Sequence, residues 1–145
     1  MTYYTDMILK GGNYATFIYK WLKERKNISV KNYDTKEEQF NIGENDKGIE
    51  IKYDDWFART GNLWIEIKER TKTNKEYVFS GIYRNDNTRF YLIGDYRKAY
   101  VFVKKQLQDI QQNYKLRENN MKTSWGYLLP EKDAIKYAYA ILVFN

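Results

Sequence analysis

The chain has 145 residues and contains neither cysteine nor histidine, which together exclude disulfides, thiolate metal sites, cysteine nucleophiles, Ser-His-Asp triads and imidazole bases. Hydrophobic residues are 43% and charged residues 30% of the chain, the balance of a globular protein, and the length suits a single domain spanning 1–145. Lys and Arg number 25 against 19 Asp and Glu, and the net charge of +6 favours a polyanionic partner, most simply nucleic acid.

The N-terminal stretch MTYYTDMILKGG lacks the basic flank and apolar run of a secretory leader. No apolar run anywhere reaches the ~20 residues of a membrane span. The expected location is therefore the cytoplasm, with no membrane partner. From Asn13 to Arg25, the residues Tyr14, Phe17, Ile18, Trp21 and Leu22 recur at helical spacing, with Gly11 and Gly12 before them and Asn13 as the expected N-cap.

After Lys26 the period changes to two. Ile28 and Val30, Phe40 and Ile42, then Ile49, Ile51 and Tyr53, then Leu63, Ile65 and Ile67 alternate with polar residues and predict three or four short strands. Turn residues at Glu44–Gly48 and Arg59–Asn62 separate them. Tyr77–Tyr83 reads as a strand and Asn85-Asp86-Asn87 as a turn. Phe90–Ile93 and Tyr100–Val103 read as strands joined by Gly94–Arg97. A helix is expected from Lys105 to Leu116, and Pro130 fits the first turn of a last helix ending near Ala140. This order predicts an α+β (mixed α/β) domain around one sheet: an N-terminal helix, antiparallel strands, then a mixed sheet flanked by helices.

The stretch Glu44–Arg70 is the one that can carry chemistry. Alternate residues of a strand share a face, so Glu50 and Lys52 point one way and Ile49, Ile51 and Tyr53 the other. Glu66 and Lys68 stand in the same relation around Ile67. A hairpin turning near Arg59 would set Glu50 opposite Lys68 and Lys52 opposite Glu66. In one reading this is cross-strand ion pairing on a solvated sheet face. In the other it is a metal-dependent phosphodiesterase, because Mg²⁺ or Mn²⁺ requires carboxylate and carbonyl oxygens, and a nearby cation can hold the attacking water.

The segment GIEIKYD followed by TGNLWIEI resembles the PD-(D/E)xK, or restriction-endonuclease-like, nucleases, and more narrowly the small phage and mobile-element proteins among them. The matching residues are Glu50, Lys52, Asp54, Gly61, Asn62 and Glu66, with Ser80-Gly81-Ile82 and the strand Phe90–Ile93 in keeping. The resemblance implies a core of order αβββαβ, a Mg²⁺ or Mn²⁺ cofactor, DNA as partner and hydrolysis of phosphodiester bonds. A junction-resolving endonuclease of phage or mobile-element DNA processing is compatible with it, as is a homodimer. It makes Glu50 a metal ligand, sets Lys52 beside the nucleophilic water, and asks for a further acid upstream. Glu44 matches best in context, with Glu38 and Asp34 as alternatives, and Glu66 would either complete the metal shell or pair with Lys52. A second register takes Asp54 or Asp55 as the first acid and Glu66-Ile67-Lys68 as the Glu-x-Lys. The alternative function is a non-catalytic nucleic-acid-binding or assembly protein that keeps the fold. Glu24, on the polar side of the first helix, is a candidate for reaching the site. Trp56, Phe57 and Arg59 in the connecting loop are the candidates for touching DNA.

Overall fold

The structure, a computed structural model, describes residues 3–145, so the first two residues of the N-terminal stretch read above lie outside it. The chain opens with α1 (Tyr3–Lys26) and a short α2 (Lys36–Asn41). Then come β1 (Ile49–Tyr53), α3 (Phe57–Thr60), β2 (Asn62–Glu69) and β3 (Val78–Phe79). A 3₁₀ turn, Gly81–Tyr83, leads to β4 (Phe90–Gly94) and β5 (Lys98–Val103). The remainder is α4 (Lys104–Asp109), a second 3₁₀ turn, β6 (Arg117–Glu118), β7 (Ser124–Pro130), α5 (Glu131–Tyr137) and β8 (Ala140–Val143).

The strands form two four-stranded sheets. One is mixed, in the order β1-β4-β5-β8, with β1 and β4 parallel; the other is antiparallel, in the order β3-β2-β7-β6. The apolar face of α1, Tyr14, Ile18 and Leu22, packs on Ile51, Leu92, Ala99 and Leu142 of the mixed sheet. A second core joins Tyr91, Ile93 and Phe102 of the mixed sheet to Ile65, Tyr127 and Leu129 of the antiparallel one. Each such side chain, when fully buried, contributes roughly 1.5–3 kcal/mol. Among the described residues no helix is long and apolar enough to cross a membrane.

The fold is α+β with an N-terminal helix, as predicted, but its strands divide between two sheets instead of sharing one. The expected β1–β2 hairpin is absent. β1 pairs with β4, setting Glu50 beside Tyr91 and Lys52 beside Ile93, while β2 pairs with β7 and β3. The break has a local cause. Asp54 accepts hydrogen bonds from the backbone N–H of Trp56 (3.1 Å) and of Trp64 (2.9 Å), folding the chain into α3 before β2 begins.

Other elements differ for equally local reasons. α1 runs straight through Gly11 and Gly12, where a side chain would meet nothing, and Asn13 is not its cap. Phe40 lies in α2, whose N-terminus Thr35 caps by accepting the Glu38 N–H (3.0 Å). Ile28 and Val30 lie in irregular chain, whose only ladder contact among the described residues is a bridge between Asn32 and Asn45. The expected strand over Tyr77–Tyr83 is a two-residue strand and a 3₁₀ turn. The helix expected to reach Leu116 stops at Asp109, and Pro130 ends a strand and precedes its helix instead of lying in the first turn.

Candidate active site

Glu44, Glu50 and Lys52 converge because the turn between α2 and β1 is locked from inside. The buried Asn45 side chain donates to the Ile49 carbonyl (2.7 Å) and accepts from the N–H groups of Lys47 (3.1 Å) and Ile49 (3.2 Å). The amide of Asn87 reaches across and donates to the Asn45 carbonyl (2.8 Å). Gly43 and Gly48 flank this turn with φ of 146° and 64°, and a Cβ at either would run into Asn87. Both therefore need glycine, for backbone conformation and for space. Glu44 sits between them, with its backbone carbonyl bonded to the Tyr33 N–H (3.1 Å).

The Glu44 and Glu50 carboxyl groups lie within hydrogen-bonding reach of each other. Burial, then the Glu50 charge and the shared hydrogen bond, push Glu44 up to about 7, although Lys52 and Arg84 pull the other way. One oxygen, Glu44 Oε2, is buried without a hydrogen-bond partner. Burial beside a second carboxylate thus keeps the proton on Glu44 up to near neutrality.

Lys52 Nζ stands 3.2 Å from Glu50 Oε1. Burial opposes its charge, but Glu50, Glu66 and Glu44 around it more than offset that and hold the ammonium above the usual lysine range. It lies on the floor of an open cleft, so protein crowds it while 43% of its side-chain surface still meets solvent. A lysine held cationic donates hydrogen bonds and does not remove a proton.

Glu66 is held differently. Its Oε2 accepts from Ser80 Oγ (3.1 Å) and its Oε1 from Ser124 Oγ (2.8 Å), and both serines are buried. Gly81 presses against the Glu66 carbonyl so closely that a Cβ there would lie 2.1 Å from it. The Ser80-Gly81 pair thus serves to seat Glu66, which faces Lys52 and is not grouped with Glu44 and Glu50. Among the described residues no three acidic side chains converge in a way that suits a metal ion.

Two clefts lie on either side of the Glu50–Lys52 pair, Glu50 lining one and Lys52 the other. The smaller, about 310 Å³, has Glu44 and Glu50 among its walls together with Lys36, Phe40 and Arg84. Arg84 is fixed there by the carbonyls of Gln39 (3.4 Å) and Phe40 (3.5 Å) and by Asp86 (3.8 Å). The larger, about 750 Å³, reaches from Lys52 and Glu66 past Trp64 and Trp56 to Arg117.

The remaining candidates fall elsewhere. Glu38 accepts from Thr35 Oγ1 (3.0 Å) in the α2 cap, and Asp34 is exposed in the preceding loop. Asp54 is taken by backbone N–H groups, and Asp55 pairs with Lys10 (3.6 Å). The second register fails on a bulge. The ladder slips between Glu66 and Lys68, and Lys68 turns to the rings of Tyr77 and Trp125, 5.8 Å from each. Glu24 is exposed and pairs with Lys20 at 4.0 Å. Trp56 is 54% exposed, with the Arg59 guanidinium 4.1 Å from its ring centre. Phe57, expected to face DNA, is instead 1% exposed, because α3 turns it inward onto Tyr100.

Sequence reasoning missed Arg84, Lys36, Ser80 and Ser124 as neighbours of the acids. The Thr35-x-x-Glu38 capping signature would have revealed α2, and with it Lys36. Nothing local announces that Ser124 meets Glu66. No protein-family model, curated protein or solved structure matches this chain.

Proposed function

We propose that the protein is a Mg²⁺- or Mn²⁺-dependent nuclease that hydrolyses phosphodiester bonds in DNA. The observation that carries this reading is the Glu44–Glu50 pair, with a buried oxygen that has no partner among the described residues, set 3.2 Å from a constrained lysine between two clefts. A carboxyl group held protonated beside a second carboxylate marks a place where a divalent cation would be better accommodated than the proton. Glu44 and Glu50 would hold it. With only two protein carboxylates, the shell needs water and substrate phosphate, as is usual for Mg²⁺. When bound, the ion supplies Lewis-acid stabilisation of charge on the phosphoryl oxygens and a more acidic water.

The chain's own residues do the rest. Lys52, kept cationic by three carboxylates, orients the attacking water and offsets negative charge that develops at phosphorus. Glu66, immobilised by two serines, positions Lys52. Arg84 and Lys36 flank the acids and attract the phosphate backbone. Kinship to the PD-(D/E)xK nucleases is part of the proposal. Its support is this grouping of residues and not the strand order, since β1 and β2 lie in separate sheets.

The test is cleavage of supercoiled, linear and four-way-junction DNA by purified protein with Mg²⁺ or Mn²⁺, beside folded Glu50→Ala and Lys52→Ala variants. Metal-dependent cutting that both variants lose is the expected result. The lack of a third converging acid favours the non-catalytic DNA-binding reading instead. Tight, salt-sensitive binding without cutting would select it.

A further inference from the structure

We propose that the larger cleft receives one unpaired nucleobase of the strand whose phosphate lies at Glu44, Glu50 and Lys52, so that the substrate is DNA with an unpaired nucleotide beside the cut. This rests on the nuclease reading above. Its first support is the surface the cleft leaves open. Trp56 and Met121, 54% and 50% exposed, line it with Trp64, Tyr53 and Met7. Indole and thioether surface left facing water, next to a charged site, is what a flat aromatic ligand covers by stacking. Bases of any identity stack on such rings.

The second support is size. A cleft of about 750 Å³ is of ligand-pocket dimensions. It admits a nucleotide or two, whereas the major groove of a duplex alone is about 12 Å wide. Lys52 and Glu66 lie among its walls, so a base remaining in its stack would leave it unfilled.

The third support is charge and continuity. The acids along the cleft are already engaged: Asp54 by two backbone N–H groups, Glu66 by Ser80 and Ser124, Glu118 by Arg70 and Tyr77. Arg117 at the rim, and Arg59 on Trp56, make no ion pair among the described residues and are available to phosphates. The side-chain amides of Asn62 and Asn120 have no hydrogen-bond partner among the described residues and face no competitor for a base edge. Because Glu50 lines the smaller cleft and Lys52, 3.2 Å from it, lines the larger, a strand with its phosphate at this pair has its neighbouring base within reach of the larger cleft.

The experiment uses three labelled DNAs: a fully paired duplex, the same duplex with a short single-stranded flap, and the flap DNA with an abasic sugar at its first unpaired position. Cleavage is followed with Mg²⁺ or Mn²⁺. Base entry is followed in Ca²⁺ by the fluorescence of 2-aminopurine at the first unpaired position. The flap DNA is expected to be cut roughly tenfold or more faster than the duplex, with the abasic sugar removing most of that advantage. Trp56→Ala should shrink the flap-to-duplex ratio roughly tenfold and Trp56→Phe should retain most of it, since stacking needs a ring and not an indole N–H. 2-Aminopurine should be quenched by the wild type and not by Trp56→Ala.

A duplex cut as fast as the flap, or an abasic flap cut as fast as an intact one, would overturn the base pocket and leave the nuclease reading standing. Cutting of no substrate, with 2-aminopurine still quenched through Trp56, would overturn the nuclease reading and keep the cleft as a base site. Neither cutting nor quenching would overturn both.

Discussion

Glu44 and Glu66 both face Lys52, yet they are held in opposite ways. Glu66 gives each oxygen a buried serine hydroxyl, at 3.1 and 2.8 Å, and so is complete without a ligand. Glu44 has an oxygen with no partner among the described residues, and burial, with the neighbouring Glu50 carboxylate, makes it keep its proton up to about pH 7. A saturated carboxylate can orient a lysine but has little left to offer an ion. An unsaturated pair is poorly stable alone and becomes stable when a cation arrives. The sequence treats the two acids alike, since either can be read as a ligand; only their partners distinguish them.

The largest effect should come from breaking the unsaturated side. Glu50→Ala removes one carboxylate of the pair and the counter-charge 3.2 Å from Lys52, and Lys52→Ala removes the cation. Each should lower metal-dependent cleavage by about a thousandfold or more, the scale of losing a preorganised electrostatic group. Glu66→Gln should cost much less in rate, because the amide can still accept from one serine and donate to the other. It should leave the Mn²⁺ affinity nearly unchanged, as measured by titration. A Glu66→Gln variant that no longer bound Mn²⁺ would make Glu66 a ligand and erase the contrast.

Stability sharpens the same comparison. Glu66→Ala leaves the hydroxyls of Ser80 and Ser124 buried without their acceptor and should cost roughly 2 kcal/mol in denaturant unfolding. Glu66→Gln should cost well under half of that. If alanine and glutamine behaved alike, the serine bonds would contribute nothing.

Glu44→Gln should act in the opposite direction. The folded protein holds a proton on Glu44 up to about pH 7, whereas an unfolded glutamate releases it near 4.5. The folded state thus binds the proton more tightly, and its stabilising effect is complete below 4.5 and lost as pH rises through about 7. Metal-free wild type should therefore weaken between pH 4.5 and 7, and Glu44→Gln should flatten that slope and be more stable at pH 8 by roughly 1–2 kcal/mol, discounted for partial exposure. The same substitution should weaken Mn²⁺ binding. In the wild type, Mn²⁺ binding should strengthen as pH rises through about 7, because the ion would displace the proton on Glu44.

Much of the mixed sheet was legible. Ile49, Ile51 and Tyr53 do share the face packed under α1, leaving Glu50 and Lys52 on the other, because a period of two is a property of the strand itself. What was not legible is pairing. β1 beside β4, and β2 beside β7, are contacts between distant segments, and no local pattern specifies them. β7 went unread because its residues from Trp125 to Leu129 are apolar or glycine at every position, so the sequence does not alternate even though Tyr127 and Leu129 are more deeply buried than Trp125 and Leu128. Lys68 illustrates the limit most clearly: two residues from Glu66 it shares the strand face on paper, and a bulge puts it with Tyr77 and Trp125 instead. The Glu44–Glu50 approach was suggested by the resemblance, but its proton and its orphan oxygen depend on burial that only the fold supplies.

A third carboxylate, Asp54, stands between the two cases. Like Glu66 it has both oxygens occupied, but by the backbone N–H groups of Trp56 and Trp64. Burial raises its pKa and those N–H groups pull it back, so its charge is tolerated and not free to seek a ligand. In Asp54→Asn one oxygen still accepts, while the new amide N–H₂ faces a backbone N–H that then goes unpaired. The loss is offset in part because a buried charge is also removed. Thermal unfolding should show a cost of roughly 1 kcal/mol, with Mn²⁺ affinity retained. A much larger loss of Mn²⁺ affinity than of stability would move Asp54 from the scaffold of β1 and α3 into the ion's shell, and the division between saturated and unsaturated acids would have to be redrawn.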